Sequence, residues 1–210
     1  MSIETFAAFV VTATVLTMAP GLDTAMVLRS ASADGARIGV ATAFGIAIGC
    51  LCWGSAAAFG LAALLASWPL LFDLLKWGGA AYLAWLGAQL ILRPRDALSP
   101  AGSVEATSGA LHAVRRGFTT NILNPKVGLF YLTLLPQFVP PGASGSGPAL
   151  MLAGTHVIIA FLWFSILSAL TGGIRPWLRR PGVMPILDRV TGGMFVLLGL
   201  QLIQITGVHA

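Results

Sequence analysis

Charge is the scarcest property of this 210-residue chain. Twelve basic and seven acidic residues make up about 9% of it, whereas an average soluble domain carries about 25%. Hydrophobic residues account for 57% of the chain, and the mean hydropathy is +0.87. A soluble body of this size could not bury so much apolar surface. The sequence therefore predicts an all-α integral membrane protein that is surrounded by the lipid bilayer.

Histidine and cysteine are also scarce, and this limits the chemistry available to the chain. The three histidines, His112, His156 and His209, are far apart in the sequence and cannot form a cluster. We therefore expect no metal site, no Ser/His/Asp triad, no cofactor and no enzymatic activity. Cys50 and Cys52 lie two residues apart on one predicted helix, so they point to different faces and cannot form a disulfide; we expect both to be buried thiols. The chain also has no phosphate-binding loop, which excludes ATP drive within it.

Six apolar stretches are long enough to cross about 30 Å of hydrocarbon. They are Ile3–Leu28, Ile38–Leu65, Leu70–Leu92, Phe118–Phe138, Pro148–Gly172 and Ile186–Ile205. The second stretch carries no charged residue, which does not fit the alternating pattern of a membrane β-barrel. No basic residue precedes the first stretch, which contains Glu4, so we interpret it as a retained helix rather than a signal peptide.

The arginines are concentrated in three of the connections between these stretches. Nine of the ten lie there, namely Arg29, Arg37, Arg93, Arg95, Arg115, Arg116, Arg175, Arg179 and Arg180. The connections around Ser67 and Pro141 carry no charge. The positive-inside rule places the three basic connections in the cytoplasm and both termini on the opposite side. The net charge of +5 is therefore explained by the orientation of the chain in the membrane, and we expect no nucleic-acid partner.

A stretch rich in Ser, Gly, Ala and Pro, residues 93–117, divides the chain into two halves. We interpret it as a flexible cytoplasmic linker between repeat one, 1–92, and repeat two, 118–210, within a single transmembrane domain. The third stretch ends in Leu-Gly-Ala-Gln-Leu-Ile from Leu86, and the sixth in Leu-Gly-Leu-Gln-Leu-Ile from Leu198. Three crossings in each half make the second repeat inverted relative to the first, as in many secondary transporters.

Two of the six stretches contain a proline that interrupts the helix. The first reads Ala-Pro-Gly-Leu-Asp at residues 19–23, and the fourth reads Asn-Ile-Leu-Asn-Pro-Lys at residues 121–126. Proline removes a backbone hydrogen bond and clashes with the preceding turn. Pro20 and Pro125 each lie nine residues from the nearest arginine of a basic connection, roughly 14 Å from the cytoplasmic interface. Paired breaks near the bilayer midplane predict a transporter binding site.

The predicted breaks offer groups that bind both ends of a zwitterion. A half-helix that restarts at the midplane presents N–H groups and a positive dipole to a carboxylate, and released carbonyls accept from an ammonium. Asp23 and Lys126 add one charge of each sign, and each would cost roughly 3 kcal/mol if unpaired. We therefore expect an amino acid as substrate. The predicted substrate-binding residues are Pro20, Gly21, Asp23, Asn121, Asn124, Pro125 and Lys126. Helix capping is the alternative for Asp23, and bonding to the freed backbone is the alternative for the asparagines.

Asp23 and His156 are the candidates for proton coupling, and a hydrogen bond between helices is the alternative role for His156. Gly45 and Gly49 in the second stretch form a ridge of small residues that lets helices approach closely. Such a ridge serves either packing within the chain or the interface of a homodimer, and both alternatives stay open.

The same residues give the chain a resemblance to the LysE/RhtB family of amino-acid exporters. The matching motifs are Pro20-Gly21-Leu22-Asp23, Gly79-Ala80-Ala81-Tyr82-Leu83 with Leu86-Gly87, Gly117-Phe118, Asn124-Pro125-Lys126, Phe130 and Pro136-Gln137-Phe138. Leu22 stands where the family usually has proline. The resemblance adds Gln137 to the substrate-binding residues, and we assign Gly79, Tyr82 and Gly87 to helix packing.

The resemblance implies a secondary transporter that exports amino acids from the cytoplasm, driven by the proton motive force. It also implies a bacterial inner membrane, so that both termini are periplasmic. Apolar residues near the breaks, such as Leu22, Val127 and Phe130, favour a neutral amino acid such as threonine, homoserine or leucine. The alternative is a metal-ion or other small-solute exporter or channel with a similar six-helix architecture, which would require more acidic groups within the spans.

Overall fold

The computed structural model describes residues 1–61, 69–94, 109–140, 145–178, 180 and 182–204. The α-helices in this part of the chain are α1 Ile3–Met18, α2 Leu22–Asp34, α3 Ala36–Ala56, α4 Pro69–Leu92, α5 Ala110–Ile122, α6 Pro125–Leu129, α7 Gly147–Leu178 and α8 Val183–Gln204. A π-helical turn, Ala57–Leu61, extends α3; a second, Phe130–Leu134, precedes the 3₁₀ turn Leu135–Phe138. The described residues contain no strand, which confirms the predicted all-helical class.

The first predicted stretch is divided into α1 and α2, whose axes differ by 55°. The hydroxyl of Ser2 caps α1 by accepting from the backbone N–H of Thr5 at 3.1 Å. α1 ends at Met18 because Pro20 has no N–H to continue the helix. The residue before a proline avoids the helical region, and Ala19 accordingly has a ψ of 123°. The break therefore forms where the sequence predicts it.

The fourth predicted stretch is also divided, between α5 and α6. The chain leaves α5 after Ile122, and the side chain of Asn124 begins α6 by accepting from the backbone N–H of Lys126 at 3.1 Å. Pro125 occupies the first position of α6, where no backbone donor is required. The second predicted break is thus a capped restart of the helix.

α5 begins earlier than predicted. Its first residue is Ala110, eight residues before the predicted start at Phe118, so the end of the predicted linker is helical. Arg116 lies 3.9 Å from the carboxylate of Asp34. This ion pair connects the polar part of α5 to the end of α2. Residues 95–108 of the predicted linker lie outside the described residues.

Two helical segments of the described chain are long and apolar enough to cross a membrane. They span Ala36–Phe59 and Gly147–Gly173, and the bent pair of α1 and α2 provides a third if it forms one span. These segments correspond to the second, fifth and first predicted stretches. Six crossings in two inverted repeats stay a prediction, and the predicted ends at Leu65 and Ile205 lie outside the described residues.

Close contacts between backbones hold the helices together. α3 packs on α5, α7 and α2, while α4 packs chiefly on α8. A Cβ added to Gly45 would collide with the backbone carbonyl of Val114 on α5. A Cβ added to Gly87 would lie 2.6 Å from the carbonyl oxygen of Gly192 on α8. Glycine is therefore needed at both crossings, and the second one joins α4 and α8 into a unit that we call the α4–α8 pair.

The two cysteines lie on different faces of α3, as predicted. Cys50 is buried, whereas Cys52 is exposed. The expectation that both thiols are buried is therefore wrong for Cys52, because it lies beside Leu51 on the exposed side of α3.

Candidate functional site

The side chain of Lys126 joins the two helix breaks. Its ammonium donates to the carbonyl oxygens of Leu16, at 3.1 Å, and of Ala19, at 3.0 Å. In a continuous helix the Leu16 carbonyl would accept from the N–H four residues later, but that residue is Pro20, which has none. Lys126 is only 8% exposed, and an ammonium in apolar surroundings requires acceptors. The carbonyls released at the first break provide them.

Asp23 lies directly after the first break, in the first turn of α2, and is 3% exposed. Its Oδ2 accepts from the side-chain amide of Asn121 on α5 at 2.9 Å. The Lys126 ammonium is close enough to interact electrostatically with this carboxylate, and the N-terminal dipole of α2 also favours negative charge here. The structure thus brings the two predicted charges together in one buried site.

Asn121 occupies space that is available only because the facing helix has a glycine. A Cβ added to Gly49 would lie 2.5 Å from the Asn121 Oδ1. The Asn121 amide nitrogen donates to the sulfur of Cys50 at 3.4 Å in addition to Asp23. Close packing against α3 therefore keeps the amide hydrogens directed towards the buried carboxylate.

A cavity of about 380 Å³ lies between the two breaks and the α4–α8 pair. The residues at the breaks that line it are Pro20, Gly21, Leu22, Asn124, Pro125 and Lys126. The α4–α8 pair lines it with Tyr82, Gln89, Leu90, Arg93 and Phe195. Its volume falls within the range of small-molecule sites, roughly 300–1,000 Å³. Its charged lining residues, Lys126 and Arg93, are both cationic, so the cavity favours an anionic group on a ligand.

The structure places most of the predicted substrate-binding residues at this cavity. Asp23 and Asn121 are not among its lining residues; Asn121 donates to Asp23, and Asp23 interacts electrostatically with Lys126 in the lining. Gln137 lies in the 3₁₀ turn, where its amide donates to the carbonyl oxygen of Thr133 at 2.7 Å. Gln137 is not among the lining residues, and its part in binding stays a prediction.

His156 lies on α7 and is buried. Its Nδ1 is 2.8 Å from the hydroxyl oxygen of Tyr131, and its Nε2 is 3.2 Å from the hydroxyl oxygen of Thr17. The ring of Phe130 packs against the imidazole with 4.6 Å between the ring centroids. His156 therefore makes hydrogen bonds between helices, and its part in proton coupling stays a prediction.

The wall formed by the α4–α8 pair contains residues that were not predicted to belong to the site. Gln89, Leu90, Arg93 and Phe195 were not among the predicted site residues, and Tyr82 was assigned to packing. Tyr82 lines the cavity while its ring lies 5.5 Å from that of Trp85. Gly79, the other packing residue predicted on this part of α4, is buried. Tyr82, Gln89 and Arg93 follow one another at steps of seven and four residues, which places them on one face of a helix. This spacing is the feature of the sequence that could have predicted a polar face of α4 at the site.

A buried acid, a buried lysine and a cavity lie together at the breaks of two helices. This architecture is typical of a membrane transporter rather than an enzyme. The sequence model of the LysE type translocator family matches residues 14–205. The chain therefore belongs to the LysE family, which confirms the resemblance seen in its motifs.

Similar proteins match most of the chain. An uncharacterized membrane protein of Vibrio cholerae is 32% identical over 96% of this chain and 98% of its own length. The homoserine/homoserine lactone efflux protein of Salmonella typhimurium is 29% identical over 96% of this chain and 97% of its own length. The leucine efflux protein of Enterobacter sp. is 34% identical over 77% of each chain. No solved structure matches the chain.

Proposed function

We propose that this protein exports neutral amino acids, such as threonine, homoserine or leucine, from the bacterial cytoplasm by alternating access coupled to the proton motive force. The observation that carries the proposal is the placement of Lys126 and Asp23 at two helix breaks beside a small-molecule cavity. The names of the homoserine and leucine efflux relatives support an amino acid as substrate. In this proposal the membrane is the inner membrane, and both termini are periplasmic.

The substrate takes over contacts that the protein makes with itself. The Lys126 ammonium is hydrogen-bonded to the carbonyl oxygens of Leu16 and Ala19. A zwitterion that inserts between them presents its carboxylate to Lys126 and to the N–H groups at the start of α2. Its ammonium then donates to the two carbonyls. This exchange keeps the buried polar groups paired, which the membrane interior requires.

The cavity wall selects the substrate side chain. Leu22, Leu90 and Phe195 are apolar and favour an aliphatic group, while Gln89 offers an amide to a hydroxyl or carbonyl group. Arg93 adds a positive charge to the wall, so a basic side chain is repelled. The same positive lining disfavours the alternative function, a metal-ion exporter or cation channel.

The packing pattern supports the two inverted repeats on which alternating access depends. If the two repeats are equivalent, α3 corresponds to α7, and α5 corresponds to the pair of α1 and α2. The contact of α3 with α5 then corresponds to the contact of α7 with α1 and α2, and both contacts occur. α4 and α8, which also correspond to each other, pack on each other. We propose that the α4–α8 pair moves against the other helices and opens the cavity to one side of the membrane at a time.

We assign proton coupling to Asp23, and we infer the direction of transport from the position of Arg93. A carboxyl group in the membrane interior can carry charge in one transport state and none in the other, and Asp23 lies next to the proposed binding group Lys126. Arg93 belongs to a connection predicted to be cytoplasmic, so the cavity extends towards that side and receives substrate from it.

Amino-acid release from dipeptide-fed cells tests the proposal. Cells hydrolyse each dipeptide and accumulate its amino acids, and cells that produce this protein are expected to release the neutral ones faster than cells without it. Lys126→Met, which lacks the ammonium donors, is expected to abolish this release at an unchanged amount of protein in the membrane. Arg115→Met, which removes an exposed cation from α5, is the matched control and should leave release unchanged. Undiminished release by Lys126→Met would remove Lys126 from the site.

A further inference from the structure

The end of α1 carries both the acceptors of Lys126 and a contact with α7. Leu16 and Ala19 provide the two carbonyl oxygens that accept from the Lys126 ammonium. Thr17 follows Leu16 in the same turn and is buried, and its hydroxyl oxygen lies 3.2 Å from Nε2 of His156. His156 therefore contacts the turn that presents the acceptor carbonyls.

The same imidazole contacts the segment that follows Lys126. Nδ1 of His156 lies 2.8 Å from the hydroxyl oxygen of Tyr131, and the ring of Phe130 packs on the imidazole with 4.6 Å between the centroids. Phe130 and Tyr131 begin the π-helical turn that continues α6 after Leu129. Because α6 has only five residues, a contact with this turn also fixes the position of Lys126.

The bonds of Thr17 determine which nitrogen of His156 carries hydrogen. The Thr17 hydroxyl oxygen lies 2.7 Å from the carbonyl oxygen of Ala13, so the single hydroxyl hydrogen lies between these two oxygens. Nε2 of His156 therefore donates to Thr17. In a neutral imidazole Nδ1 then accepts from the Tyr131 hydroxyl. Two hydroxyl groups satisfy a neutral ring, whereas a charged ring in the membrane interior would require an acidic partner.

We infer that His156 is a positioning residue whose neutral imidazole, with hydrogen on Nε2, holds the Lys126 ammonium at the carbonyls released by Pro20. It does so by joining the end of α1 to the π-helical turn after α6, and we call Thr17, His156 and Tyr131 the His156 clamp. These three residues are not among those that line the cavity, so the clamp acts through Lys126 and the two carbonyls. This role rests on the proposed function, in which those groups bind the two ends of a zwitterion.

Nitrogen NMR of the full-length protein tests the arrangement of the clamp without any transport measurement. In a His112→Gln/His209→Gln background, His156 is the remaining histidine. With ¹⁵N-labelled histidine at neutral pH, we expect a neutral ring with hydrogen on Nε2. Thr17→Val should shift chiefly the Nε2 resonance, and Tyr131→Phe chiefly the Nδ1 resonance. A ring protonated on Nδ1, or on both nitrogens, would overturn the inference.

The ammonium of Lys126 provides a second spectroscopic test. In a Lys76→Arg background, Lys126 is the remaining lysine. With ¹⁵N-labelled lysine, Thr17→Val should shift the ammonium resonance, because the carbonyls on either side of residue 17 lose their fixed position. Thr12→Val is the matched control: Thr12 also donates to the carbonyl four residues earlier in α1, at 2.9 Å, but at an only partly buried position. An unshifted Lys126 resonance in Thr17→Val would overturn the positioning role.

Transport kinetics test what the clamp does for the substrate. Uptake of radiolabelled homoserine and leucine by inside-out membrane vesicles gives the KM on the side from which substrate is exported. Thr17→Val and Tyr131→Phe each remove one bond of the clamp, and each should raise KM by roughly three- to tenfold, with a maximal rate within about twofold of wild type. Thr17→Ser retains the hydroxyl and should restore KM to within about twofold, and Thr12→Val should behave as wild type.

The outcomes separate the inference from the proposed function. In a protein whose wild type exports, an unchanged KM in both Thr17→Val and Tyr131→Phe, with or without a lower maximal rate, would reduce the clamp to a structural contact and overturn the inference. A His156→Gln variant that still exports but no longer responds to the pH gradient would make His156 a proton carrier and would overturn it as well. Absence of export by the wild type would contradict the proposed function, while the two NMR results still decide whether the clamp holds Lys126.

Discussion

The ammonium of Lys126 donates to the carbonyl oxygen of Leu16 across 3.1 Å, although the two residues are 110 positions apart in the chain. In a continuous helix this carbonyl would accept a hydrogen bond from the backbone N–H of residue 20, but Pro20 has no N–H. The Lys126 ammonium takes its place as a charged donor. The bond thus connects the break in the first predicted stretch to the break in the fourth. In the proposed function, a substrate carboxylate competes with these carbonyls for the ammonium.

Pro20→Ala is expected to weaken transport without lowering stability. Alanine restores the backbone N–H, which competes with Lys126 for the Leu16 carbonyl, and the 55° bend between α1 and α2 should decrease. Export should fall roughly tenfold, which corresponds to about 1.4 kcal/mol, while the thermal unfolding temperature stays equal or rises because a proline inside a helix is costly. Pro185→Ala, in the first turn of α8 where proline is tolerated, is the control. Wild-type export by Pro20→Ala would contradict the role of the break.

Asp23→Asn is expected to uncouple export from the proton gradient. The amide can still bond to Asn121, but it can neither gain nor lose a proton at physiological pH. Efflux measured in membrane vesicles at several imposed pH gradients should become independent of the gradient. Asp34→Asn, on the same helix, removes only a partly exposed contact with Arg116 at 3.9 Å, which contributes at most about 1 kcal/mol. Its efflux should respond to the gradient as in wild type, and a full response by Asp23→Asn would exclude Asp23 as the coupling group.

Gly49→Ala is expected to destabilise the protein and to impair export together. The added Cβ would lie 2.5 Å from Asn121 Oδ1, so Asn121 must move away from Asp23; overpacking of this kind costs about 1–3 kcal/mol. Gly154→Ala is the matched control, because a Cβ there meets nothing within 4 Å. Thermal unfolding in detergent and export by cells measure the two effects. Equal stability of the two variants would show that Asn121 is not held against Gly49.

Arg93→Glu is expected to change which amino acids are exported. The negative charge should admit basic side chains and weaken the attraction for carboxylates, so the ratio of lysine to leucine release should rise by about tenfold, or about 1.4 kcal/mol. Arg37→Glu, at an exposed position near the start of α3, makes the same charge change outside the cavity lining. Release from cells fed different dipeptides provides the comparison. An unchanged ratio in Arg93→Glu would remove Arg93 from the selection of substrates.

The breaks could be predicted from the sequence because their cause is local. The missing N–H of Pro20 ends α1 whatever surrounds it, and Asn124 with Pro125 is a cap followed by the residue best suited to the first helical position. The scarcity of buried charge likewise made Asp23 and Lys126 conspicuous, and the structure brings both to the same place.

The wall of the cavity opposite the breaks could not be predicted, because it depends on how the α4–α8 pair packs against them. Arg93 was interpreted as a topology marker and Tyr82 as a packing residue, yet both line the cavity. Asp188 is fully buried on α8, although the sequence places it beside the exposed Arg189 at the edge of a span. The rotation of a helix about its axis is a property of tertiary packing that a run of apolar residues does not specify.

Efflux from proteoliposomes that contain only the purified protein measures directly whether this chain transports an amino acid through the site at the two helix breaks. Liposomes are loaded with radiolabelled homoserine or leucine, and a pH gradient that is acidic outside is imposed. We expect wild-type protein to release the amino acid faster with the gradient than without it, and Lys126→Met liposomes to release it no faster than protein-free liposomes. Equal release from wild-type and Lys126→Met liposomes would contradict a substrate site at the two helix breaks.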